Sequence, residues 1–273
     1  MGVQNFFENG DLHTTRSFCL VTGASSGIGK AIALELAHLK KNLVLVALPD
    51  TGLEELGEQI AHSHKVAVLT IATDLTQISN HHQILKTCEA NNIQVNVLIN
   101  NAGFGNLESF QQTSWSELES MMALNNTALV SLTYIFIPHL KKSAPAYILN
   151  TGSLASFFRI PFKAVYSATK SFVYSFSASL RLELLRDNIH VACLCPGGTL
   201  TSQRFRDILK KSNGRGERFL QLPDAVAHTA IEGLFRKKFR IIPGFHNRMM
   251  LLLYGLLPEK IINWALVRHF SPK

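Results

Sequence analysis

The stretch "SFCLVTGASSGIGKAIALELAHLKK", residues 17–41, decides the fold. "SFCLVTG" is an apolar run of strand length, as expected of a strand buried on both faces. "GKAIALELAHLKK" (29–41) is longer and amphipathic, as a helix packed on a core should be. Gly23, Gly27 and Gly29 lie between the two. A glycine-rich turn from strand into helix lets backbone approach a pyrophosphate, whose charge the helix N-terminus favours. The spacing is G-x-x-x-G-x-G rather than the commoner G-x-G-x-x-G, and an ordinary strand–turn–helix glycine cluster is the bland alternative.

The same alternation repeats outward from this unit. "NLVLVAL" (42–48), "VAVLTIATDL" (66–75), "VNVLINNAG" (95–103), "AYILNTGS" (146–153) and "IHVACLCPG" (189–197) are further strand runs, and "FRIIPG" (239–244) is a seventh. "TGLEELGEQIAHSH" (51–64) and the segment up to about residue 92 read as intervening helices. Repeated βα units with right-handed crossovers predict an α/β fold with a doubly wound parallel sheet. No linker or internal repeat divides the chain, so residues 1–273 read as one domain with an N-terminal extension over 1–15.

Composition narrows the function. The chain is 47% hydrophobic and 17% charged, enough for a substantial core and too apolar for disorder. Its net charge of +8 is dispersed and no nucleic-acid module is legible. An anionic substrate, cofactor or membrane surface accounts for the charge as well. Cys19, Cys88, Cys193 and Cys195 lack metal-ligand spacing, and the last two alternate in "VACLCP" as buried strand residues do. Reduced core thiols, no metal and a cytoplasmic setting are expected. The start, "MGVQNFFENGDLHTTRSF", has neither the basic head nor the apolar stretch of a secretory signal. No run is expected to reach the ~20 apolar residues of a membrane span; the longest, "MMLLLYGLL" (249–257), stops at Pro258, Glu259 and Lys260.

Ligands of such sheets bind beyond the carboxyl ends of the strands. There stand Asp74 and Leu75 in "TDL", Asn101, Ala102 and Gly103 in "NNAG", Ser153, and Pro196, Gly197 and Thr199 in "PGGTLT". Asp74 as a helix cap and Asn100 and Asn101 as turn residues are the ordinary readings. Tyr166 and Lys170 in "VYSATKS" (165–171) lie four apart, hence on one helix face. Their ordinary reading is a core tyrosine with a satisfied hydroxyl and a snorkelling lysine. Asn125, in "MALNNTAL", falls in a helix between the fourth and fifth strands.

Taken together, "TGASSGIG", "TDL", "NNAG", Asn125, Ser153, "YSATK" and "PGGTLT" resemble, in order and separation, the classical short-chain dehydrogenase/reductase family over about residues 16–200. The resemblance implies a single Rossmann-like domain around a seven-stranded parallel sheet. It also implies hydride transfer between a nicotinamide and a carbonyl or alcohol carbon. In that scheme Tyr166 is the acid–base group, Lys170 lowers its pKa and meets the nicotinamide ribose, and Ser153 holds the substrate oxygen. Asn125, rather than Asn126, would anchor a water leading from Lys170 to solvent. A free tyrosine titrates near ~10, so a neighbouring cation is what would bring it towards working pH. The implied cofactor contacts are Thr22, Gly23, Ser25, Ser26, Gly27, Ile28, Gly29, Asp74, Leu75, Asn101, Ala102, Gly103, Tyr166, Lys170, Pro196, Gly197 and Thr199.

Family members that take NAD usually carry an acidic residue at the end of the second strand. Here "VALPD" puts Ala47 and Leu48 there, with Asp50 two or three residues late, so NADP is expected, with Ser25 and Ser26 as donors and NAD as the alternative. A small carbonyl or alcohol substrate is implied. Segment 199–222 would close over it, and its Arg204, Arg206, Lys210, Lys211, Arg215 and Arg218 are either a solvated basic face or a landing site for an acyl thioester's phosphates. Phe157, Phe158, Ile160 and Phe162 are a candidate apolar wall. The amphipathic tail, 247–273, is expected to pack on the sheet or a partner subunit in preference to a membrane. The family assembles through the helices carrying Asn125 and Tyr166, where Ser175, Ser177, Ala178 and Ser179 allow close approach, so a homodimer or homotetramer is expected. A nucleotide-binding sensor or scaffold of the same fold without turnover is the alternative function, against which the intact Asn125–Ser153–Tyr166–Lys170 set argues.

Overall fold

The structure, a computed structural model, describes residues 16–201 and 220–270. Seven strands form one sheet: β1 (Arg16–Thr22), β2 (Asn42–Ala47), β3 (Val68–Ala72), β4 (Ile93–Asn100), β5 (Ala146–Thr151), β6 (Ile189–Leu194) and β7 (Arg240–Ile241). Every pairing is parallel, in the order β3-β2-β1-β4-β5-β6-β7. The order reverses between β1 and β4, and the crevice above their carboxyl ends is where such a sheet receives a ligand.

Both faces are covered, which is why the strands read as unbroken apolar runs. Along β2, Leu43 and Leu45 join one core with α1 (Gly27–His38) and α2 (Leu53–His64). Val44 and Val46, on the opposite face, join a second core with α3 (Ile78–Ala90). The first core also takes in Val226, Ala230 and Leu234 of a later helix, Pro223–Phe235.

A second long element crosses the other face. It runs without a break as α4 (Trp115–Met122), a π-helical segment (Ala123–Ala128) and α5 (Leu129–Lys142). Ser114 caps its start, its hydroxyl accepting the Glu117 N–H at 3.3 Å. By length and composition this 28-residue helix is apolar enough to cross a membrane. That departs from the expectation that no run reaches the length of a span. Its charges, Glu117, Glu119, Lys141 and Lys142, lie near its ends, and Asn125, Asn126 and Thr127 interrupt the contiguous apolar run in between. Leu132, Phe136 and Leu140 are buried against the sheet, so we read it as a core helix.

Helix α6 (Ala164–Glu183) lies beside it, followed by α7 (Pro223–Phe235), α8 (Phe245–Leu256) and α9 (Glu259–Phe270). Ser177 of α6 is fully buried and accepts a hydrogen bond from Asn150 Nδ2 at 2.9 Å, so it braces the sheet and is not at an assembly face. Ser175 and Ser179 are exposed. The tail meets only part of an expectation of packing on the sheet or on a partner subunit, since within the chain little of it is buried. Instead of packing its apolar residues on the sheet, α8 buries only Asn247, and in α9 the buried side chain among those described is Ile262.

Most of segment 199–222, including Arg204, Arg206, Lys210, Lys211, Arg215 and Arg218, lies outside the described residues, as do 1–15 and 271–273. The two ends of that segment are joined. Leu200 N–H donates to the Gln221 carbonyl at 3.0 Å, and Gln221 N–H to the Gly198 carbonyl at 2.9 Å.

Candidate active site

The glycine loop is shaped by two close approaches. Gly23 has φ +64°, and a Cβ there would lie 3.0 Å from Ala102 Cα. A Cβ on Gly29 would lie 2.0 Å from the Gly23 carbonyl oxygen, so only glycine lets the first turn of α1 rest on the end of β1. Thr201 presses on Gly27 from outside, 3.0 Å from where a Cβ would sit. Ser26 is exposed at the N-cap position and makes no side-chain capping bond, while Ser25 and Ile28 are half-buried. The first-turn N–H groups of a twelve-residue helix thus stand behind a loop whose glycines, Gly23, Gly27 and Gly29, present no Cβ, and these residues fit a dinucleotide's pyrophosphate.

Several implied cofactor contacts brace this cradle. Thr22 Oγ1 accepts the N–H groups of Asn101 and Ala102, both at 3.0 Å, and Asn101 Nδ2 donates to the Thr22 carbonyl at 3.0 Å. The turns after β1 and β4 are thereby locked together. Sequence reasoning missed this role because it depends on two strands distant in the chain becoming neighbours. Asp74 accepts from Thr76 N–H at 2.8 Å and from Thr76 Oγ1 at 2.9 Å, the ordinary turn role, with Leu75 buried beneath. At the end of β2, Leu48 is 53% exposed, and Asp50 sits in a left-handed turn with φ 58°.

The second cluster lies at the end of β5. Ser153 leads a short 3-10 turn (Leu154–Ser156), its Oγ accepting Ala155 N–H at 3.1 Å. Ser156 Oγ accepts Ser153 N–H at 3.3 Å and donates to the Lys170 carbonyl at 2.8 Å, tying the turn to α6. Tyr166, in the first turn of α6, shares a hydrogen bond with the Ser153 side chain. One turn later Lys170, 5% exposed, donates from Nζ to the Thr151 carbonyl at 2.8 Å, with Nζ 5.9 Å from the Tyr166 ring centroid. Asn125 reaches the group from the π-helical segment, a widening of the helix that often marks a functional position. Its Nδ2 donates to the Phe104 carbonyl (2.9 Å) and Thr169 Oγ1 (3.1 Å), and its Oδ1 accepts Phe104 N–H (3.1 Å). Both amide hydrogens are committed to the protein, so Asn125 fixes the segment after β4 and keeps only spare acceptor capacity at Oδ1 for a water. Asn126 bonds the Thr169 carbonyl instead, at 3.0 Å.

Burial dominates the electrostatics. It pushes the Lys170 ammonium down to about 8, partly opposed by Cys193 and Cys195, whose sulfurs lie 3.8 Å apart at the end of β6. Burial also pushes the Tyr166 phenol up, partly offset by the Ser153 hydrogen bond. In the chain alone, Lys170 Nζ is turned to the Thr151 carbonyl, and burial is the larger influence on the phenol. At neutral pH the pair is therefore a neutral phenol beside a charged ammonium.

Two further residues touch the phenol. Lys163, at the start of α6, holds Nζ 5.7 Å from the Tyr166 ring centroid, its own pKa lowered by burial. The ring also lies on the Gly105 backbone, where a Cβ would come within 2.3 Å of Tyr166 Cδ2. Gly105 stands two residues beyond "NNAG", and that adjacency was the available signal. Of the candidate apolar wall, Phe157 packs on Tyr174 at 4.7 Å between ring centroids and Phe158 on Tyr254 at 4.5 Å. Both are committed to packing, while Ile160 and Phe162 are half-buried.

Known proteins are similar to this chain in sequence and in fold. A very-long-chain 3-oxoacyl-CoA reductase of Kluyveromyces lactis is 37% identical over 182 residues, covering 64% of this chain and 53% of that protein. Very-long-chain 3-oxoacyl-CoA reductase-A of Danio rerio is 29% identical over 201 residues, covering 69% of this chain and 60% of that protein. This chain thus spans little more than half the length of these relatives. Among solved structures, a short-chain dehydrogenase from Sphingobium yanoikuyae in complex with NADPH is 29% identical, with a TM-score of 0.74, covering 89% of this chain and 97% of that one. A bulky-bulky ketone specific alcohol dehydrogenase from Comamonas testosteroni is also 29% identical, with a TM-score of 0.74, covering 90% of this chain and 95% of that one. The family model for short chain dehydrogenase matches residues 17–211. With the glycine cradle and the Ser153–Tyr166–Lys170 cluster at one sheet edge, the match leaves one conclusion: the chain belongs to the short chain dehydrogenase family of oxidoreductases.

Proposed function

We propose that this chain is an NAD(P)-dependent reductase of ketone, aldehyde or 3-oxoacyl substrates, with NADP as its cofactor and NAD as the alternative. The observation that carries the reading is the buried Tyr166 phenol, neutral at pH 7, hydrogen-bonded to Ser153 with the Lys170 ammonium alongside. A protonated phenol suits the reductive direction, in which a proton must be given to an oxygen. The absence of a carboxylate at the exposed Leu48 supports NADP, since nothing there repels a 2′-phosphate. The names of the relatives support a 3-oxoacyl thioester as the substrate.

The residues that would hold the cofactor are the loop from Gly23 to Gly29, Gly103 and Lys170; a Cβ on Gly103 would lie 3.2 Å from Lys170 Nζ. Bound there, a nicotinamide supplies the hydride that reduces the carbonyl carbon. Ser153 Oγ already accepts from Ala155, so its own proton is available to the substrate oxygen. Tyr166 gives its proton to the same oxygen as negative charge develops on it. The phenolate left behind is stabilised by the ammonium groups of Lys170 and Lys163, and it regains a proton before the next turnover.

We further propose a homodimer or homotetramer through α5 and α6, supported by the exposed Tyr134 and Phe172 on them. A reducing, cytoplasmic setting is supported by four buried free cysteines. The test is a nicotinamide-fluorescence titration with NADPH and NADH, followed by NADPH oxidation with a 3-oxoacyl thioester and its truncated ketone. Tighter NADPH binding and turnover of the thioester are expected. Cofactor binding without turnover of any carbonyl substrate would overturn the reading in favour of a sensor or scaffold.

A further inference from the structure

Helix α8 is built inside out. Its buried side chain is the polar Asn247, which lies against Gly197 and donates from Nδ2 to Gln221 Oε1 at 2.9 Å and to the Pro243 carbonyl at 2.8 Å. Phe245, Met249, Leu252, Leu253 and Leu256 recur at i, i+4, i+7, i+8 and i+11, the spacing of a core-facing stripe. They face outward instead, from 36% exposed at Met249 to 73% at Leu256. The apolar surface continues through Leu257 into Ile261 and Val267 of α9, all about half exposed. A contiguous outward stripe of this kind marks a surface that is covered in use.

Charge selects the cover. From the start of α8 to the end, the sequence carries Arg248, Lys260, Arg268 and Lys273 against the single Glu259. A second copy of the chain would bring like charge to this face, which opposes association. An anionic lipid surface brings the complement, and an apolar stripe with basic flanks is what seats a helix in a bilayer interface. The helix is also joined to the site. Asn247 abuts the loop after β6 at Gly197, and the Tyr254 ring packs on Phe158, five residues beyond Ser153.

We propose that α8 and α9 form a peripheral docking face for an anionic phospholipid bilayer, which sets the substrate side of the site against the membrane surface. The docking stands independently of the catalytic reading. The full chain is floated with phosphatidylcholine vesicles, with and without phosphatidylglycerol, in the absence of any substrate. Co-flotation with the anionic vesicles is expected, weakening as salt is raised. A Leu253→Glu/Leu256→Glu variant should lose at least about tenfold in bound fraction, with an unchanged thermal melt. Phe245→Ser/Leu252→Ser is the second variant should the first unfold. No flotation with anionic vesicles, or equal flotation of wild type and variant, would overturn the proposal. So would an oligomer seen by analytical ultracentrifugation that dissociates on these substitutions while vesicles are ignored, since the face would then join two copies.

Discussion

Helices α6 and α8 both break the usual inside–outside pattern, in opposite senses. α6 turns a lysine and a tyrosine inward, and each finds a partner there: Lys170 at the Thr151 carbonyl, Tyr166 at Ser153. α8 turns a stripe of leucines outward, where no described residue buries it. Inward polar groups with complete partners are rigid and positioned, as chemistry requires; an outward apolar stripe is a contact surface awaiting its partner. Departures from patterning are where function is to be sought, and the direction of the departure tells which kind.

That contrast can be broken or sharpened by substitution. The largest effect is expected in the ordinary core, at the fully buried Phe136 of α5. Phe136→Ala should cost about 3–5 kcal/mol of stability, read from denaturant midpoints.

Next comes Lys170. Its pKa falls from 10.5 unfolded to about 8 folded, so between those values the unfolded chain binds more protons and stability from this group rises with pH. The rise amounts to ~3 kcal/mol across the window. Tyr166, shifted upward, acts in the opposite sense only above its ordinary value of 10.0. Urea titrations at neutral and alkaline pH should show the rise in wild type and not in Lys170→Met. At pH 7 the variant should be the more stable protein, by that amount less ~1 kcal/mol for the lost hydrogen bond to Thr151.

A smaller effect is expected from Gly105→Ala, whose new Cβ would displace the phenol. Turnover should fall about 10–100-fold with NADPH affinity nearly unchanged. The smallest belongs to the outward stripe. Leu253→Glu should shift stability by no more than about 0.5 kcal/mol, as at an ordinary surface position. A core-sized loss there would show that α8 is packed after all.

Much of this was legible in the chain. β1, β4, β5 and β6 announced themselves as apolar runs because a parallel sheet buries both of their faces. The glycine loop and the Tyr166–Lys170 spacing are local, so sequence carries them directly. What escaped depends on distant segments meeting. Thr22 and Asn101 could be placed at strand ends, but their clamp exists only once β1 and β4 are neighbours. Gly105 looks like any loop glycine until the ring of Tyr166 rests on it. The upward shift of the phenol likewise follows from burial, a property of the assembled site that a four-residue spacing does not contain. Asn247 and the leucines of α8 show the same limit from the other side: periodicity reveals a stripe and leaves open which way it faces.

The most direct test of the central claim is the turnover of Tyr166→Phe with NADPH and a 3-oxoacyl substrate, measured beside its NADPH affinity. The phenyl ring keeps the packing on Gly105 and lacks the hydroxyl, and with it the proton and the bond to Ser153. Turnover should fall by at least about 100-fold while NADPH binding stays nearly unchanged. Undiminished turnover would contradict the assignment of Tyr166 as the proton donor and send the search for the acid elsewhere in the site.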